Sequence, residues 1–140
     1  MKRIPLLLLF ITALVFTSCG SGAAQKVADE FHQKLDEKDY EYILDNLLDA
    51  GDEVGRESFA AFFEVVDSWG EQKNRKKKLG FSSKIINGIS TSKINYSFEC
   101  DGIGVIHESI VLRDVGEGYK VFVIKMDTDE SAVTNATSEY

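Results

Sequence analysis

Apolar side chains recur every three or four residues in the first half of the chain, which is the spacing of one face of an α-helix. One such stripe covers residues 24–35, and a second covers residues 40–48 with Asp39 placed to cap its helix. A third, Phe-rich stripe covers residues 57–69, and Gly70 follows it as a natural helix end. The pattern therefore predicts three helices before residue 71.

After Gly70 the apolar period changes to two, which is typical of strands with one buried face. The alternation is clearest over residues 94–100. The predicted strands cover residues 72–86, 94–100, 103–113 and 119–126, separated by the turn sequences Asn87-Gly88, Asp101-Gly102 and Gly116-Glu117-Gly118. Helices followed by such strands predict an α+β domain over residues 23–127, with N-terminal helices packed on a curved four-stranded antiparallel β-meander. The polar residues 128–140 are predicted to be a disordered tail.

The first residues have the pattern of an export signal. Lys2 and Arg3 precede an apolar run over residues 6–16, which at 11 residues is far shorter than the roughly 20 that a membrane-spanning helix needs. Residues 16–19, Phe-Thr-Ser-Cys, resemble the lipobox of bacterial lipoproteins, with Phe16 in place of the commoner Leu. The resemblance implies a signal peptide at residues 1–18, diacylglyceryl attachment to Cys19 and cleavage just before it. Ordinary cleavage elsewhere, which would give a free secreted protein, is the alternative.

The anchor would place the protein in the cell envelope. Acyl chains on Cys19 would hold the domain on a membrane through a short tether at residues 19–22. Gly20 and Ser21 follow the cysteine without an Asp, and in Gram-negative lipoproteins this pattern implies the outer membrane, facing the periplasm. A Gram-positive source would instead mean the outer face of the only membrane.

Charge separates the domain from nucleic-acid binders. The formal net charge is −7, and it becomes −9 once Lys2 and Arg3 leave with residues 1–18. One basic run stands out against this acidic background: Lys73, Arg75, Lys76, Lys77 and Lys78. Lysines on an exposed strand protect a sheet edge from pairing with other chains, and they also suit contact with anionic headgroups or an acidic protein. Both interpretations remain open.

The order of elements resembles the cystatin-like and nuclear-transport-factor-like class of bacterial lipoproteins over about residues 23–127. The resemblance rests on four features: an Ala-rich helix ending near Lys38-Asp39-Tyr40, a Phe-rich helix ending at Trp69-Gly70, the strand at residues 94–100, and the strand opening Gly118-Tyr119-Lys120-Val121. Many members of this class are small lipoproteins without a known activity. Others are ketosteroid-isomerase-like or dehydratase-like enzymes that work from a pocket between sheet and helices, but no motif transfers their catalytic residues to this chain.

Candidate chemistry is sparse. The two histidines, His32 and His107, lack the spacing of a metal site, and no cofactor or metal is expected. His32 is expected at the boundary of the first helix's apolar stripe. His107 is the best single acid–base candidate, although Glu108 falls on the opposite strand face and no partner is evident. Cys100 is expected to be a small buried hydrophobe.

A pocket between the third helix and the sheet would decide between binding and catalysis. Its possible lining is His107 together with the aromatic residues Phe62, Phe63, Tyr96 and Phe98. Filling of the space by Phe62, Phe63 and Phe98 favours a binding module, whereas a cavity lined by His107 and a carboxylate favours an enzyme. The sequence predicts a non-catalytic, membrane-tethered binding or assembly module, with an unknown protein or small ligand as partner and no nucleic acid. A pocket enzyme is the alternative.

Overall fold

The computed structural model describes residues 21–140, which fold as four helices and a five-stranded antiparallel open sheet. The predicted α+β class is therefore confirmed. The elements in chain order are α1 (Ser21–Asp36), α2 (Tyr40–Tyr42), which continues as a π-helix (Ile43–Leu47), α3 (Glu53–Ser68), β1 (Gln72–Lys77), β2 (Ser82–Ile86), β3 (Ile89–Cys100), β4 (Gly104–Asp114), β5 (Tyr119–Asp127) and α4 (Glu130–Ala136).

The sheet is built around the long strand β3. β4 pairs with one side of β3 and β5 pairs with β4, while β1 and β2 follow one another along the other side of β3. The Asn87-Gly88 turn joins β2 to β3 as predicted, and both of its residues have positive φ, which matches the right-handed twist of a hairpin. β1 and β2 therefore form one edge of the sheet.

On one face of the sheet, α1 packs on β3, β4 and β5, and the π-helix and α3 add side chains to the same core cluster. The core between them contains Phe31 and Ile43 from the helical layer and Ile94, Phe98 and Ile110 from the strands, all at most 1% exposed. Directly paired residues of an antiparallel sheet share a face, so the pairs Phe98 with Ile106 and Tyr96 with Glu108 also point into this layer. We call this side the helix face of the sheet.

The opposite face of the sheet is partly covered by α4. Val133 and Thr137 are buried there, and α4 packs on β4 and β5 next to the fully buried Ser109 and Val111. Asp129 caps α4 by accepting from the backbone N–H of Ser131, at 2.9 Å. We call this side the α4 face.

The structure corrects two predictions and adjusts a third. The predicted strand over residues 72–86 is two strands, because the chain leaves the edge of β3 at residues 78–81, where Gly80 has a φ of 117°. The predicted disordered tail contains the seven-residue helix α4, since Val133 and Thr137 are buried against the sheet and Glu130 pairs with Lys78. Helix α3 begins at Glu53, before the predicted residue 57, because Asp52 caps it by accepting from the N–H of Gly55.

Candidate functional site

A histidine and a glutamate meet inside the helix face of the domain. His32 Nε2 lies 2.6 Å from Glu108 Oε2, and the two side chains are 6% and 0% exposed. A buried carboxylate needs a proton or a matching positive charge, because burying an unpaired charge is very costly. The hydrogen bond between His32 and Glu108 therefore gives each of these buried polar groups a partner inside the core.

Two elements place this pair. His32 follows Phe31 on α1, and both side chains turn toward the sheet, where their rings lie edge to face with centroids 5.5 Å apart. Glu108 lies on β4 between Ile106 and Ile110, on the helix face of the sheet. The apolar alternation of β4 thus carries one acidic side chain into the core directly beneath α1.

Tyr96 completes the polar cluster. It pairs with Glu108 across β3 and β4, and its ring meets the His32 imidazole edge to face at a centroid distance of 4.4 Å. Gln25 Nε2 donates to the Tyr96 hydroxyl at 2.8 Å. Burial raises the pKa of Tyr96 to about 12, so the phenol stays protonated at neutral pH.

Two acceptor atoms in this cluster have no hydrogen-bond partner within the described residues: Glu108 Oε1 and Gln25 Oε1. Buried polar atoms without a partner are rare in proteins, and a functional role is one reason for which they are kept. The cluster of Gln25, His32, Tyr96 and Glu108 is therefore the most polar part of the helix-face interior and has unused hydrogen-bonding capacity.

An open groove runs along the outside of this cluster. Its volume is about 590 Å³, and His32 and Tyr96 form its inner wall. Charged side chains of both signs form the rest of its lining: Asp29, Asp36 and Glu37 from α1, and Arg75 and Lys77 from β1, together with Gln33. The groove is thus a polar surface channel between α1 and the β1 edge, with an imidazole and a phenol at its base.

The geometry allows proton transfer at the groove. Glu108 hydrogen-bonds Nε2 of His32, so Nδ1 is the ring nitrogen that is left for another partner. A carboxylate that hydrogen-bonds one ring nitrogen orients the imidazole and leaves the other nitrogen for a second hydrogen bond. Tyr96 can donate a hydrogen bond next to it. Such a pair can bind a polar ligand, and it also has the parts of a general base with its orienting group.

The structure separates His107 from the aromatic residues with which it was grouped. His107 pairs with Ser97 and Asp127, so it lies on the α4 face, opposite to Tyr96 and Phe98. Its Nδ1 lies 3.3 Å from Lys78 Nζ, and Lys78 also pairs with Glu130 of α4. A pocket lined by His107 together with Phe63 and Phe98 is therefore wrong, because an odd number of residues along a strand changes the face.

The aromatic residues have different positions. Phe63 and Phe98 are 1% exposed core residues, and Phe62 is half-buried on α3, packed against the core. Phe63 stacks on Tyr40 at a centroid distance of 5.2 Å and forms part of a surface pocket of about 230 Å³ with Leu44, Ala60, Glu64 and Asp67. Of the five predicted lining residues, Tyr96 alone lines the groove.

The basic run is largely neutralised by the protein's own carboxylates. Lys73 pairs with Asp101 at 2.7 Å, Lys78 pairs with Glu130, and Arg75 makes two hydrogen bonds to Asp36, at 2.8 and 2.9 Å. Lys76 and Lys77 have no ion-pair partner within residues 21–140. Any contact with an anionic surface therefore depends on these two lysines more than on the run as a whole.

The remaining candidates divide between the core and the N-terminal segment. Cys100 is a buried free thiol, and burial raises its pKa, as expected for a small core residue.

Cys19 and the predicted signal peptide at residues 1–18 lie outside the described residues. Among residues 21–140, no helix has the length and hydropathy needed to cross a membrane. No three His, Cys, Asp or Glu side chains converge as a metal site in that part of the chain.

Sequence reasoning missed the central pair although both residues were considered. The alternation of β4 turns Glu108 away from His107, and that same alternation points it into the core. The available signal was a lone acidic residue among the apolar residues on one face of a strand, and its natural partner was a histidine beside the apolar stripe of a helix.

Comparison of the chain with protein-family models, curated proteins and solved structures finds no match in any of the three.

Proposed function

We propose that this protein is a membrane-tethered lipoprotein of the cell envelope whose folded domain is a non-catalytic binding module. The tether is the acylated Cys19 implied by the lipobox-like residues 16–19. Helix α1 begins at Ser21, two residues after this cysteine, so the domain would be held directly at the membrane surface. Two or more acyl chains are enough for stable anchoring of a domain of this size.

The observation that carries the binding proposal is the packed interior of the helix face, where Phe63 of α3 and Phe98 of β3 belong to one buried core cluster. Both side chains are 1% exposed, whereas an enzyme of the ketosteroid-isomerase-like class would need an open pocket between its helices and its sheet. The order of helices before a curved antiparallel sheet supports a relationship to the cystatin-like and nuclear-transport-factor-like class. Within that relationship, a packed interior favours the members that bind over those that catalyse.

The groove beside His32 is the proposed ligand site. Its lining offers the cation of Lys77, the ion pair of Arg75 with Asp36, further carboxylates from α1, and hydrogen-bonding groups from His32 and Tyr96. Such a mixed surface suits a small polar ligand that carries both donors and acceptors, since each buried polar group of the ligand needs a partner.

Two neighbouring lysines provide a matched test of the groove. Lys77 lines the groove, whereas Lys76 pairs with Ser97 and points to the α4 face. In a thermal-shift screen of small polar compounds, we expect ligands that stabilise the wild type to lose their effect on Lys77→Ala and to keep it on Lys76→Ala. Absence of any stabilising compound, or equal effects of the two substitutions, would contradict a ligand site in the groove.

The anchor is tested independently of the groove. Mass spectrometry of the mature protein should find an acylated Cys19 as its first residue, and Cys19→Ser should move the domain from the membrane fraction to the soluble fraction. A Cys19→Ser protein that stays in the membrane fraction, or an unmodified thiol at residue 19, would rule out the lipoprotein proposal while leaving the groove proposal standing.

An enzyme is the second candidate function, and the His32–Glu108 pair favours it. Its geometry is that of an oriented base at the wall of an open groove, which suits abstraction of a proton next to a carbonyl. Solvent deuterium exchange into a panel of small ketones, followed by NMR, tests this activity. We expect no exchange above the uncatalysed rate; exchange that Glu108→Gln abolishes would replace the binding proposal by the enzyme.

A further inference from the structure

The edge of the sheet formed by β1 and β2 combines exposed lysines with exposed aliphatic side chains. Lys76, Lys77 and Lys84 have no ion-pair partner within residues 21–140. Leu79 is fully exposed between the two strands, and Ile85 of β2 is 77% exposed. We call these five residues the basic edge. Lys78 does not belong to it, because Glu130 neutralises its charge.

The lysines of the basic edge lie on both sides of the sheet. Lys77 pairs with Tyr96 and points to the helix face, whereas Lys76 and Lys84 pair with Ser97 and Thr91 on the α4 face. Leu79 protrudes from the segment that joins the strands. A partner that approached the sheet edge-on would therefore meet an aliphatic side chain with positive charges on both sides of it.

The basic edge lies at the end of the domain where α1 begins. Gln25, in the second turn of α1, donates to the Tyr96 hydroxyl, and Tyr96 is the residue that pairs with Lys77. The backbone N–H of Lys78 then donates to Asn95, the next residue along β3, at 2.8 Å. The first turns of α1 and the segment that carries Leu79 are thus neighbours on the same part of the sheet, and Cys19 precedes α1 by two residues.

We propose that the basic edge docks on the anionic phospholipid surface of the membrane to which Cys19 is anchored. This inference rests on the proposed lipid anchor, and it adds an orientation: the domain would lie with β1 and β2 against the headgroups and Leu79 in the interface. Lysines attract acidic headgroups within a Debye length, and an aliphatic side chain among them gains from leaving water.

Charge complementarity favours a lipid surface over other partners. The processed chain has a net charge of −9, so most of the domain is repelled by an anionic surface. The basic edge is attracted to that surface, and the domain therefore turns this edge toward it. Nucleic acid is disfavoured, because the edge has no aromatic side chains on which bases would stack.

A fluorescent label at Leu79 tests the orientation on the acylated protein. Leu79→Cys would carry an environment-sensitive dye, and Val54→Cys on α3, where Val54 is 69% exposed, would carry the same dye as a matched control; the buried Cys100 should not react. In vesicles of phosphatidylcholine and phosphatidylglycerol, we expect blue-shifted emission and quenching by lipid-borne nitroxides at residue 79. The label at residue 54 should stay water-like.

Charge neutralisation tests the cause. At low salt, each of Lys76→Gln, Lys77→Gln and Lys84→Gln should lower the ratio of docked to undocked protein about fivefold, and the triple variant should show a water-like label at residue 79. Full membrane anchoring with a water-like label at 79 in the unsubstituted protein would overturn the docking proposal and leave the anchor intact. An equal blue shift in vesicles of phosphatidylcholine alone would also overturn it, because the lysines would then have no role.

Discussion

His32 and Glu108 lie 76 positions apart in the sequence and 2.6 Å apart in the structure, inside an otherwise apolar layer. One member comes from the first helix and the other from the central part of the sheet, so the pair forms only when α1 docks on β4. Its polar groups constrain the angle and position of that docking, because a shift of α1 would leave the carboxyl buried without a partner.

Removal of one member of this pair should destabilise the domain strongly. We expect His32→Leu or Glu108→Leu alone to lower the free energy of unfolding by about 3–5 kcal/mol, since each leaves a buried polar group unmatched. The double variant should recover most of that loss, because replacing a whole buried pair by apolar side chains is often neutral. Urea unfolding of the four proteins gives the coupling free energy directly.

An exposed ion pair serves as the control for that cycle. Arg56 and Asp45 lie 2.7 Å apart with side chains 40% and 59% exposed. Arg56→Gln should change the free energy of unfolding by about 1 kcal/mol or less, because water screens such pairs. Losses of equal size in the exposed and the buried pair, or simple additivity of the two Leu substitutions, would contradict the role assigned to His32 and Glu108.

Local patterns predicted the elements well and their long-range partners poorly. The helical stripe that contains Phe31 and the alternation around Phe98 correctly identified α1 and β3, because each depends on spacing within one segment. The pairing of His32 with Glu108 depends on how α1 crosses the sheet, and nothing local encodes that crossing. The prediction that His107 lines a pocket failed because its face of the sheet is the α4 face. Helix α4 is short and mostly polar, so the hydrophobic pattern of the sequence does not predict it.

The docking of α4 can be tested at its buried valine. Val133 is 4% exposed, whereas the adjacent Thr134 is exposed. We expect Val133→Ala to lower the free energy of unfolding by about 2 kcal/mol and to speed amide hydrogen exchange in α4. Thr134→Ala should change stability by less than about 0.5 kcal/mol, since Ala is the better helix former and little contact is lost. Equal, small effects of both substitutions would show that the last residues do not pack on the sheet.

Cys100 should behave as a reporter of global unfolding. Its side chain is buried among the core residues, and burial raises the pKa of the thiol, which lowers the fraction of reactive thiolate. In the Cys19→Ser protein, where Cys100 is the remaining thiol, we expect no reaction with an aromatic disulfide reagent under native conditions. Reaction should begin at the urea concentration at which the far-UV signal is lost. Rapid native labelling would contradict the placement of β3 in the core.

The buried phenol of Tyr96 and the half-buried phenol of Tyr40 should make the domain sensitive to alkali. Burial is the main cause that raises the pKa of Tyr96 and of Tyr40 to about 12, with the Asp67 carboxylate adding to the effect at Tyr40. Both tyrosines hold their protons more tightly in the folded state than in the unfolded chain, where the pKa is about 10. The unfolded state therefore loses protons first as the pH rises, and stability should fall between about pH 10 and pH 12.

Phenolate absorbance and unfolding together measure this effect. In an alkaline titration of the wild type, the phenolate signals of Tyr96 and Tyr40 should appear near pH 12, about two units above the pKa of an unperturbed tyrosine. Tyr96→Phe should remove one late-ionising phenol and make the loss of stability above pH 10 less steep. Tyr40→Phe should remove the other and have the same effect on stability. A single sharp ionisation step near pH 10 with no loss of structure would contradict the burial of Tyr96 beside His32, and with it the polar cluster at the base of the groove.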